Sequence, residues 1–327
     1  MSQKFENYLL QVTKAKDCKE VEIIQSLWSD YGKISRYQLI GSKTETVVVK
    51  HVALNQFTKH PRGWNSLNSH NRKVKSYKVE RSWYKHWSGI VQNSRVRCKI
   101  PEYFGSFEEG ENQWIILEDL NNGYPIGKQQ ISQFEVRACL KWLANFHTAF
   151  LDYKPNGLWN VGTYWHLETR PDELKKIEHN RLKVKAPVID NMLNSCTYQT
   201  IVHGDAKLAN FCFSENGIDV AAVDFQYVGG GCGMKDVAYF LGSCLSAIEL
   251  ESFEKELLDF YFEELKRAIE STSQNTNFTE LEREWRYMYP IASADFVRFL
   301  MGWMPTHQKL NSYNQKMMED VLGKLGE

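Results

Sequence analysis

The sequence predicts an α+β protein with two lobes, a smaller one built on β-strands and a larger one that is mainly helical. Strand-like segments are concentrated before residue 120, where β-branched and aromatic residues alternate or run together. The segment 121–125, which reads Asn-Asn-Gly-Tyr-Pro, is then a strong turn. Helical periodicity dominates after this turn, so we expect lobes of residues 1–120 and 121–327.

Length and composition restrict the class of protein before any motif is considered. The chain has 327 residues, 43% of them hydrophobic, which suffices for a sizeable core and excludes a disordered chain. Its 40 basic and 40 acidic side chains give a formal net charge of zero. A general binder of nucleic acids or anionic membranes needs a basic excess, so neither partner is expected. No obligate protein partner is evident either.

The sequence shows no sign of export or of membrane insertion. No stretch approaches the roughly 20 apolar residues that span a bilayer. Residues 1–19 are polar and charged and lack the apolar centre of a secretory signal. The seven cysteines are scattered, with neither a disulfide framework nor the spacing of a zinc knuckle. We therefore expect a protein of the reducing cytoplasm.

Four strands are predicted in the first lobe, over residues 21–28, 35–40, 46–52 and 114–117. A turn-like stretch, 29–34, separates the first two, and the third contains three consecutive valines followed by Lys50. Residues 51–79 contain no acid. A lysine beside a β-branched run is often solvated at a strand end, so its role depends on a partner.

The next predicted helix offers Lys50 such a partner. This helix, over residues 72–88, has four residues on one face at spacings of 3, 4 and 3: Tyr77, Glu80, Tyr84 and Trp87. A carboxylate within a buried aromatic stripe is costly unless it is paired. The sequence therefore predicts a pair between Glu80 and Lys50. The alternative is that Glu80 lies at the edge of the stripe and reaches water.

In the second lobe, Ser132 and Glu135 form a capping box that begins a helix. His147 lies on the apolar face of this helix, so we expect a core histidine rather than a catalyst. A charged helix or loop over residues 174–188 and an amphipathic helix over 252–269 follow, and the C-terminal third is helical.

Two short buried strands, 200–202 and 220–223, are each followed by residues suited to chemistry. The first leads to His203, Asp205 and Asn210, and the second ends at Asp224. Three oxygen ligands of this kind suit Mg²⁺, which leaves coordination sites for phosphate and water. In phosphoryl transfer, one aspartate receives or orients the proton of the acceptor, and an asparagine and a second aspartate hold the metal.

The pattern His203-x-Asp205-x-x-x-x-Asn210, followed by Asp-Phe-Gln from Asp224, resembles the catalytic and metal loops of the protein-kinase-like superfamily. The likeness is to its small-molecule branch, which includes the aminoglycoside phosphotransferases and the choline kinases. It is closest to the ecdysteroid-kinase-like (CHK-kinase-like) group, where the metal motif also reads Asp-Phe-Gln and the hinge is a similar Glu-Asp-Leu. The resemblance covers roughly residues 21–245.

This resemblance implies a small antiparallel sheet with one helix in the N-terminal lobe and a larger, mainly helical C-terminal lobe. It also implies an ATP- and Mg²⁺-dependent kinase that transfers the γ-phosphate to a hydroxyl of a small molecule. Lys50 would hold the α- and β-phosphates and Glu80 would fix Lys50. Backbone groups of the hinge, from Glu118 to Leu120, would bind adenine.

The remaining implied roles lie in the second lobe. Asp205 would be the catalytic base, and Asn210 and Asp224 would bind Mg²⁺. Lys207 would contact the γ-phosphate, or else is a surface lysine. His203 would brace the loop, and Asp236 would be a structural aspartate that caps a helix or braces a loop.

The sequence departs from protein kinases in its glycines. The loop between the first two strands has only Gly32 instead of a glycine-rich GxGxxG, so Ser29, Ser35 and the backbone of residues 30–34 are the candidates that cover the phosphates. A second glycine-rich run, 229–233, fits neither GxGxxG nor GxxxxGK[ST]. We expect it to be a short flexible segment after the metal loop.

The acceptor is expected to be a small molecule, because about eleven residues between Asp224 and Asp236 are few for a peptide-binding segment. Its pocket is predicted in the C-terminal third, where aromatics and a carboxylate suit a cationic or amphipathic alcohol such as an amino-alcohol, aminoglycoside or sterol. The candidates are Trp285, Tyr289, Asp295 and Trp303, with Tyr287 and Met304 nearby. Residues 162–167 are a second candidate wall. Alternatively, aromatics at this helical spacing are core.

Two other functions remain open at this stage. A metal-dependent phosphoesterase also uses His, Asp and Asn near strand ends, although after His203 the next histidine is His307. A nucleotide-binding protein without catalysis is the other alternative, although every expected catalytic residue is present.

Overall fold

The first part of the chain forms a five-stranded sheet in the order β1-β2-β3-β5-β4, with all neighbouring strands antiparallel. The computed structural model describes residues 2–27, 31–54, 67–272 and 274–326. The strands are β1 Asp17–Ser26, β2 Gly32–Ile40, β3 Thr46–Ala53, β4 Tyr103–Glu109 and β5 Asn112–Glu118. The expected antiparallel sheet is confirmed, and β4 is a strand that the sequence pattern did not reveal.

The turn between β1 and β2 is shorter than predicted. Gly32, assigned to the turn, is the first residue of β2 and has a φ of 145°. A Cβ at this position would lie 2.0 Å from the carbonyl oxygen of His51, so β2 approaches β3 too closely for any side chain. This approach allows pairing to begin three residues before the predicted start, whereas residues 28–30 lie outside the described residues.

A helix that the sequence did not reveal, α1 Gln3–Thr13, covers one face of the sheet. The hydroxyl of Ser2 caps it by accepting from the backbone N–H of Phe5. Phe5 and Leu9 are buried, and the ring of Phe5 stacks on Trp114 of β5 at 4.8 Å. One face of the sheet is therefore closed by α1.

The helix predicted for the first lobe is α2 Leu67–His86, followed by the short α3 Ser88–Asn93. It begins five residues earlier than the sequence pattern indicated. All four residues of the predicted stripe are buried: Tyr77, Glu80, Tyr84 and Trp87. Glu80 is thus inside the stripe rather than at its edge.

The second part of the chain is mainly helical. Its helices are α4 Gln133–Ala149, α5 Pro171–Lys176, α6 Asn180–Ser195, α7 Met234–Cys244, α8 Ala247–Ser271, α9 Phe278–Trp303 and α10 Ser312–Lys324. The capping box of α4 is present as predicted. His147 is fully buried, 2.8 Å from the Tyr261 hydroxyl and 3.2 Å from the Asp236 carboxylate, so the expected core histidine is confirmed. None of the described helices combines the length and the apolar character that a bilayer crossing requires.

Five short strands hold the polar loops of this second part. They are β6 Ile126–Gly127, β7 Thr200–Val202, β8 Phe211–Phe213, β9 Val220–Ala222 and β10 Gly229–Gly231. The two predicted strands, β7 and β9, belong to different small sheets, because β7 pairs with β10 and β9 pairs with β8.

The glycine-rich run is a strand rather than the flexible segment we expected. Glycines allow β10 to pass close to the neighbouring chain, since a Cβ on Gly229 would lie 2.2 Å from the carbonyl oxygen of Trp159. The antiparallel pairing of β10 with β7 thus fixes the chain that follows Asp224.

Candidate active site

A cavity of about 870 Å³ lies between the sheet and the helical part of the chain. Its walls come from β1 to β3, α2, the segment after β5, the loops after β7 and β9, and α9 with the chain beyond it. The cavity has two regions. The sheet end is lined by Lys50, Glu80, Glu118 and Leu120, and the aromatic end by Tyr164, Tyr239, Phe296, Phe299 and Trp303.

At the sheet end, the predicted pair between β3 and α2 is present. Nζ of Lys50 lies 2.6 Å from a carboxylate oxygen of Glu80, and both side chains are buried. A second carboxylate oxygen, from Asp224, lies 3.7 Å from the same Nζ. Burial disfavours the charge of Lys50, but Glu80 and Asp224 outweigh it and raise the pKa of Lys50. The lysine is therefore held as a cation at the cavity wall.

The loop after β7 is held by the carboxylate of Asp236, near the start of α7. Its two carboxylate oxygens accept from the backbone N–H groups of His203, at 2.6 Å, and of Gly204, at 2.9 Å. Gly204 has a φ of 79°, and a Cβ there would lie 2.1 Å from the carbonyl oxygen of Tyr227. Asp236 thus braces the loop as predicted, although it is the third residue of α7 and not its cap.

His203 joins the loops that follow β7 and β9. Its Nδ1 accepts from the backbone N–H of Asp205 at 3.3 Å, and its Nε2 donates to the carbonyl oxygen of Val223 at 3.0 Å. Both ring nitrogens are thus engaged with backbone, and the side chain is completely buried. This geometry fits the bracing role expected for His203 and fixes the spacing between Asp205 and the strand end before Asp224.

Asp205 is held by three side chains inside the cavity. Its Oδ2 lies 2.9 Å from Nζ of Lys207 and accepts from Nδ2 of Asn210 at 3.1 Å. Its Oδ1 accepts from the hydroxyl of Tyr239 at 3.2 Å. Because Asn210 uses its amide nitrogen here and at the carbonyl of Asp205, its amide oxygen is the group left for a cation. Lys207 lines the cavity, with 39% of its side chain exposed.

Asp224 adopts a backbone conformation that is unusual for a residue other than glycine. Its φ is 67°, in the left-handed region, which costs free energy and is typical of functional sites. Its Oδ1 is buried and accepts no hydrogen bond from the described residues, while about a third of the side chain (35%) is exposed to the cavity. This oxygen forms an ion pair with Nζ of Lys50 at 3.7 Å but accepts no hydrogen bond, and such a carboxylate oxygen on a strained residue fits a ligand for a cation.

The residues after Asp224 attach its loop to α2. The ring of Phe225 stacks on Trp83 at 4.7 Å and lies 4.6 Å from the ring of His203. The side-chain oxygen of Gln226 accepts from Nζ of Lys73 and from the hydroxyl of Ser76, both at 3.2 Å. The Asp-Phe-Gln motif therefore couples the position of Asp224 to the helix that carries Glu80.

The two carboxylates of the site have pKa values shifted in opposite directions. Burial raises the pKa of Asp205, and the negative charge of Asp224 acts the same way, although Lys207 opposes them. Burial also opposes ionisation of Asp224, but the charges of Lys50, Lys207 and Lys73 outweigh it and hold the pKa of Asp224 low. Diverging values of this kind separate a proton acceptor from a permanent anion.

A metal ion at this site would need more than protein carboxylates. Among the described residues, no three His, Cys, Asp or Glu side chains are grouped in a way that holds a metal by themselves. Asn210 and Asp224 offer an amide oxygen and a carboxylate oxygen without a hydrogen bond, which are hard donors of the kind Mg²⁺ prefers. The residues present therefore fit a magnesium ion that takes its other ligands from phosphate and water.

The segment after β5 borders an apolar slot at the sheet end. The carboxylate of Glu118 pairs with Nζ of Lys99 at 2.6 Å. Only the backbone of this residue is then left to contact a ligand. Asp119 pairs with Arg36 at 2.6 Å and caps the short helical turn that begins at Leu120. The slot between this segment and the loop after β9 is walled by four apolar side chains: Ile34, Val48, Leu117 and Val223.

Neither serine proposed to cover the phosphates is placed at the cavity. Ser29 lies outside the described residues. Ser35 is buried and does not line the cavity, so the prediction for this residue is wrong. Successive residues of a strand point to opposite faces, and Ile34 and Arg36 face the cavity. Ser35 therefore points to the opposite face, which is the face that α1 covers.

Only one of the four predicted acceptor residues lines the cavity, and it is Trp303. Trp285 and Tyr289 are core residues of α9, and Nε1 of Trp285 donates to the carbonyl of Tyr198 at 3.0 Å. Asp295 is buried and paired with Arg298 at 2.9 Å. These three predictions are wrong because helix α9 is buried on several sides, so its aromatics pack into the core. The alternative interpretation as core is confirmed for the two aromatic residues, Trp285 and Tyr289.

The aromatic end contains residues that sequence reasoning missed. Tyr164 lines it and comes from the second candidate wall, 162–167. Tyr239 follows Asp236 by three residues, one helical turn later, and this spacing was a signal that it shares the loop-facing side of α7. Lys309 and Arg170 also line the cavity, and both lie in irregular segments where no periodicity indicated them.

Residues 169–326, just under half of the chain, match a family model (DUF1679) described as "Uncharacterized oxidoreductase dhs-27". No curated protein matches the sequence.

Comparisons of structure are clearer. The chain is similar to the microcompartment-associated aminopropanol kinase, with a TM-score of 0.55 and 12% identity over 98% of this chain and 95% of that one. It is similar to an ethanolamine kinase of Plasmodium vivax (TM-score 0.51, 12% identity, 93% and 82% of the two chains). It also matches the streptomycin–ATP–APH(2")-IIa ternary complex (TM-score 0.50, 12% identity, 97% and 98%). The chain therefore has the two-lobed, protein-kinase-like fold of small-molecule kinases.

Proposed function

We propose that this protein is an ATP- and Mg²⁺-dependent kinase that transfers the γ-phosphate to a hydroxyl of a small molecule. The observation that supports it best is the meeting of Lys50, Glu80 and Asp224 with Asp205 and Asn210 in one cavity. Two of these five residues are over 120 positions from the others, so their proximity depends on the fold. This arrangement suits phosphoryl transfer, where positioning and charge supply most of the catalysis.

In this proposal the sheet end binds the nucleotide. The apolar slot receives adenine, whose edge meets the backbone of Glu118 and Leu120. The backbone N–H at the start of a helical turn has no acceptor within that turn, so Leu120 has a donor to offer. Lys50, kept charged and oriented by Glu80, binds the α- and β-phosphates. Residues 1–120 then form the nucleotide lobe and residues 121–327 the catalytic lobe.

Asn210 and Asp224 would hold Mg²⁺ between the lobes. When bound, the metal neutralises charge on the phosphates. Asp224 is suited to this role because three lysines keep it ionised and one of its oxygens accepts no hydrogen bond from the described residues. The stacking of Phe225 on Trp83 keeps this carboxylate in place.

Asp205 is the proposed base for the acceptor hydroxyl. Burial makes it a better proton acceptor than an ordinary aspartate, and Asn210 and Tyr239 fix the direction of its oxygens. Lys207, 2.9 Å from the Asp205 carboxylate, is placed to contact the phosphate that is transferred. The chain thus places a proton acceptor and a cation next to each other at one reaction centre.

A small acceptor is favoured over a protein substrate. The residues between Asp224 and Asp236 are almost all buried, and three of them form β10. A buried, paired strand offers no groove to a peptide. The substrates named for the similar structures are also small molecules, an aminopropanol, an ethanolamine and streptomycin among them.

The oxidoreductase description of the matched family model is not supported by this geometry. A dinucleotide fingerprint requires a glycine-rich turn from a parallel strand into a helix. Here the five-stranded sheet is antiparallel throughout, and the glycine-rich run is itself a strand paired antiparallel with β7.

The proposal is tested by measuring nucleotide binding and phosphotransfer separately. Calorimetry with ATP and Mg²⁺ should show saturable binding. ATP consumption is then screened over sterols, choline-like amines, aminoglycosides, sugars and hydroxy acids, and the product mass should rise by one phosphate. Asp205→Asn should lower turnover by roughly 10²–10⁴-fold while nucleotide binding persists.

Asp219→Asn is the matched control, since Asp219 is exposed in the β8–β9 turn, and it should retain full turnover. A protein that binds no nucleotide contradicts the proposal. Tight binding with no turnover on any acceptor would favour a non-catalytic nucleotide-binding protein. Release of phosphate from a phosphoester without ATP would favour a phosphoesterase.

A further inference from the structure

The aromatic end contains a cation, Lys309, with no ion-pair partner among the described residues, although the more distant charge of Asp205 acts to raise its pKa. Lys309 lies in the irregular chain between α9 and α10, with its Nζ 4.8 Å from the ring centroid of Tyr239 and 5.6 Å from that of Phe296. It lines the cavity, yet Nζ has no ion pair and no hydrogen bond with any described residue. Burial is strong enough to lower the pKa of Lys309 to about 8. An ammonium group in this environment is incomplete without an anion.

Two arginines add positive charge on the opposite wall. Arg170 lies with its guanidinium 4.9 Å from the ring centroid of Phe299 and donates to the carbonyl of Tyr164 at 2.6 Å. One carboxylate, Glu173, pairs with it at 3.0 Å. Arg72 also lines the cavity, and burial together with the charge of Arg170 lowers its pKa. Both walls of the aromatic end are therefore basic.

The acids that line the cavity are all committed elsewhere. Glu80, Glu118 and Asp119 are paired with Lys50, Lys99 and Arg36, respectively, at the sheet end. Asp205 and Asp224 belong to the reaction centre. Asp295, which the sequence suggested for binding a cationic acceptor, is buried against Arg298. Within the described residues, the aromatic end thus has no free carboxylate for an amine.

The remaining surface of this end is flat and apolar. The rings of Phe299 and Trp303 are stacked at 5.5 Å with an interplanar angle of 18°. Tyr164 meets both Phe299 and Tyr239 edge to face, at 5.3 Å and 5.7 Å. Rings packed in this way form a slot for a planar or fused-ring skeleton.

We propose that the acceptor is an anionic alcohol with a flat apolar body, specifically a hydroxylated aromatic or alicyclic carboxylic acid whose carboxylate binds Lys309. This inference rests on the proposed kinase function and narrows its acceptor class. The hydroxyl lies toward Asp205, because Tyr239 contacts Asp205 through its hydroxyl and Lys309 through its ring.

The reaction is then fully defined. The acceptor oxygen forms a bond to the γ-phosphorus of ATP, and the bond from that phosphorus to the β,γ-bridging oxygen breaks. ADP leaves with the electron pair, and the hydroxyl proton passes to Asp205 and then to solvent.

The test uses three acceptors that share one skeleton and differ only in charge. They are 6-(hydroxymethyl)-2-naphthoic acid, its primary amide, and the analogue with an aminomethyl group in place of the carboxylate. Binding of each is measured by calorimetry with Mg²⁺ and a non-hydrolysable ATP analogue, so failure of acceptor recognition is separable from failure of phosphotransfer. We expect the acid to bind at least ~10-fold more tightly than the amide, as for a charge-assisted hydrogen bond, and the amine to bind most weakly.

Variants at Lys309 identify the group that recognises the charge. Lys309→Gln should remove the preference for the acid, and Lys309→Arg should keep it. Lys309→Glu should shift the preference toward the amine. Lys316→Gln, in exposed α10 sequence, is the matched control and should leave the preference intact. The affinity of each variant for the ATP analogue shows that the variant is folded.

Four results would overturn the proposal. The first is equal affinity for the acid and the amide, the second is tighter binding of the amine, and the third is no binding of any of the three compounds. The fourth is a Lys309→Gln protein that loses affinity for the nucleotide instead of the acid, because Lys309 would then belong to the phosphate site.

Discussion

The two ends of the cavity differ in how their charges are matched. At the sheet end, three basic side chains meet three carboxylates in pairs at 2.6 Å: Lys50 with Glu80, Arg36 with Asp119 and Lys99 with Glu118. At the aromatic end, Lys309 has neighbouring rings but no ion-pair partner among the described residues. Both ends belong to one cavity, and they differ in whether the basic side chains have ion-pair partners among the described residues.

Matched and unmatched charges have different consequences for folding. A buried pair stabilises its own geometry, and removing one partner strands the other in a medium that disfavours charge. An unpaired buried cation opposes folding and is tolerated where a ligand supplies the missing charge. Substitutions at Lys50 and Lys309 should therefore have opposite effects on stability.

The largest expected effect is that of Lys50→Met. Loss of the phosphate-binding cation should lower kcat/KM by roughly 10²–10³-fold, as for loss of one preorganised charge at a reacting group. Glu80 is left buried without its partner, so the free energy of unfolding should fall by about 3–5 kcal/mol. Phosphotransfer assays and urea unfolding measure the two effects.

The double variant Lys50→Met/Glu80→Leu separates the effect on activity from the effect on stability. It replaces the pair by apolar groups of similar size, so stability should return to within about 1 kcal/mol of the parent while activity stays low. A double variant as unstable as the single one would show that the pair is not what the single substitution disrupts.

The second prediction concerns the dependence of acceptor binding on pH. Burial lowers the pKa of Lys309 to about 8, so the group is charged below that pH and neutral above it. Affinity for the naphthoic acid should therefore fall as pH rises through 8, by up to ~10-fold per pH unit, whereas affinity for its amide should not. The titratable groups that face Lys309 are Asp205, Lys207, Tyr239, Cys244 and His307. Lys309→Gln should abolish the difference in pH dependence between the affinity for the acid and the affinity for the amide. This result would exclude the other groups as the source of that difference.

Much of the sheet end could be predicted from the sequence, and the reason is physical. Glu80 falls inside an aromatic stripe with helical spacing, and burial of an unpaired carboxylate is so costly that a partner could be inferred. Asp205, Asn210 and Asp224 follow short apolar strands, which indicated that strand ends would deliver them. Local periodicity and the cost of buried charge were sufficient in these cases.

The aromatic end could not be predicted in the same way. Helix α9 is buried around most of its circumference, so periodicity did not distinguish Trp303, which lines the cavity, from Trp285, which is core. Lys309 lies in irregular chain where no pattern applies. Ser35 was misassigned because its face depends on α1, whose apolar residues Phe5, Leu9 and Val12 were not recognised as one face of a helix.

The third prediction compares the effect on stability of a substitution at Lys309 with that of a substitution at Lys50. Lys309→Met should raise the free energy of unfolding at pH 7 by about 1 kcal/mol, because an unpaired desolvated charge is removed, although lost contacts with two rings reduce the gain. In the parent, the folded state has the lower pKa, near 8, against 10.5 for an ordinary lysine. Between these two pKa values the unfolded state binds more protons than the folded state, so the free energy of unfolding of the parent rises with pH. The difference in stability between the parent and Lys309→Met therefore becomes smaller as pH rises. Urea unfolding at several pH values would refute this if the variant were less stable at pH 7.

The smallest expected effect is that of Tyr239→Phe, where the two ends meet. The tyrosine ring contacts Lys309 while its hydroxyl donates to Asp205 at 3.2 Å. Removal of the hydroxyl should lower kcat about 3- to 10-fold, equivalent to about 1 kcal/mol for one hydrogen bond to a carboxylate. The ring remains, so the preference for acid over amide should be unchanged. Tyr287→Phe, at an exposed tyrosine of α9, is the control. If the substitution instead altered the preference for acid over amide and left kcat intact, the Tyr239 hydroxyl would serve acceptor recognition. The reaction centre and the charge-selective end would then not be separate, because Tyr239 contacts both.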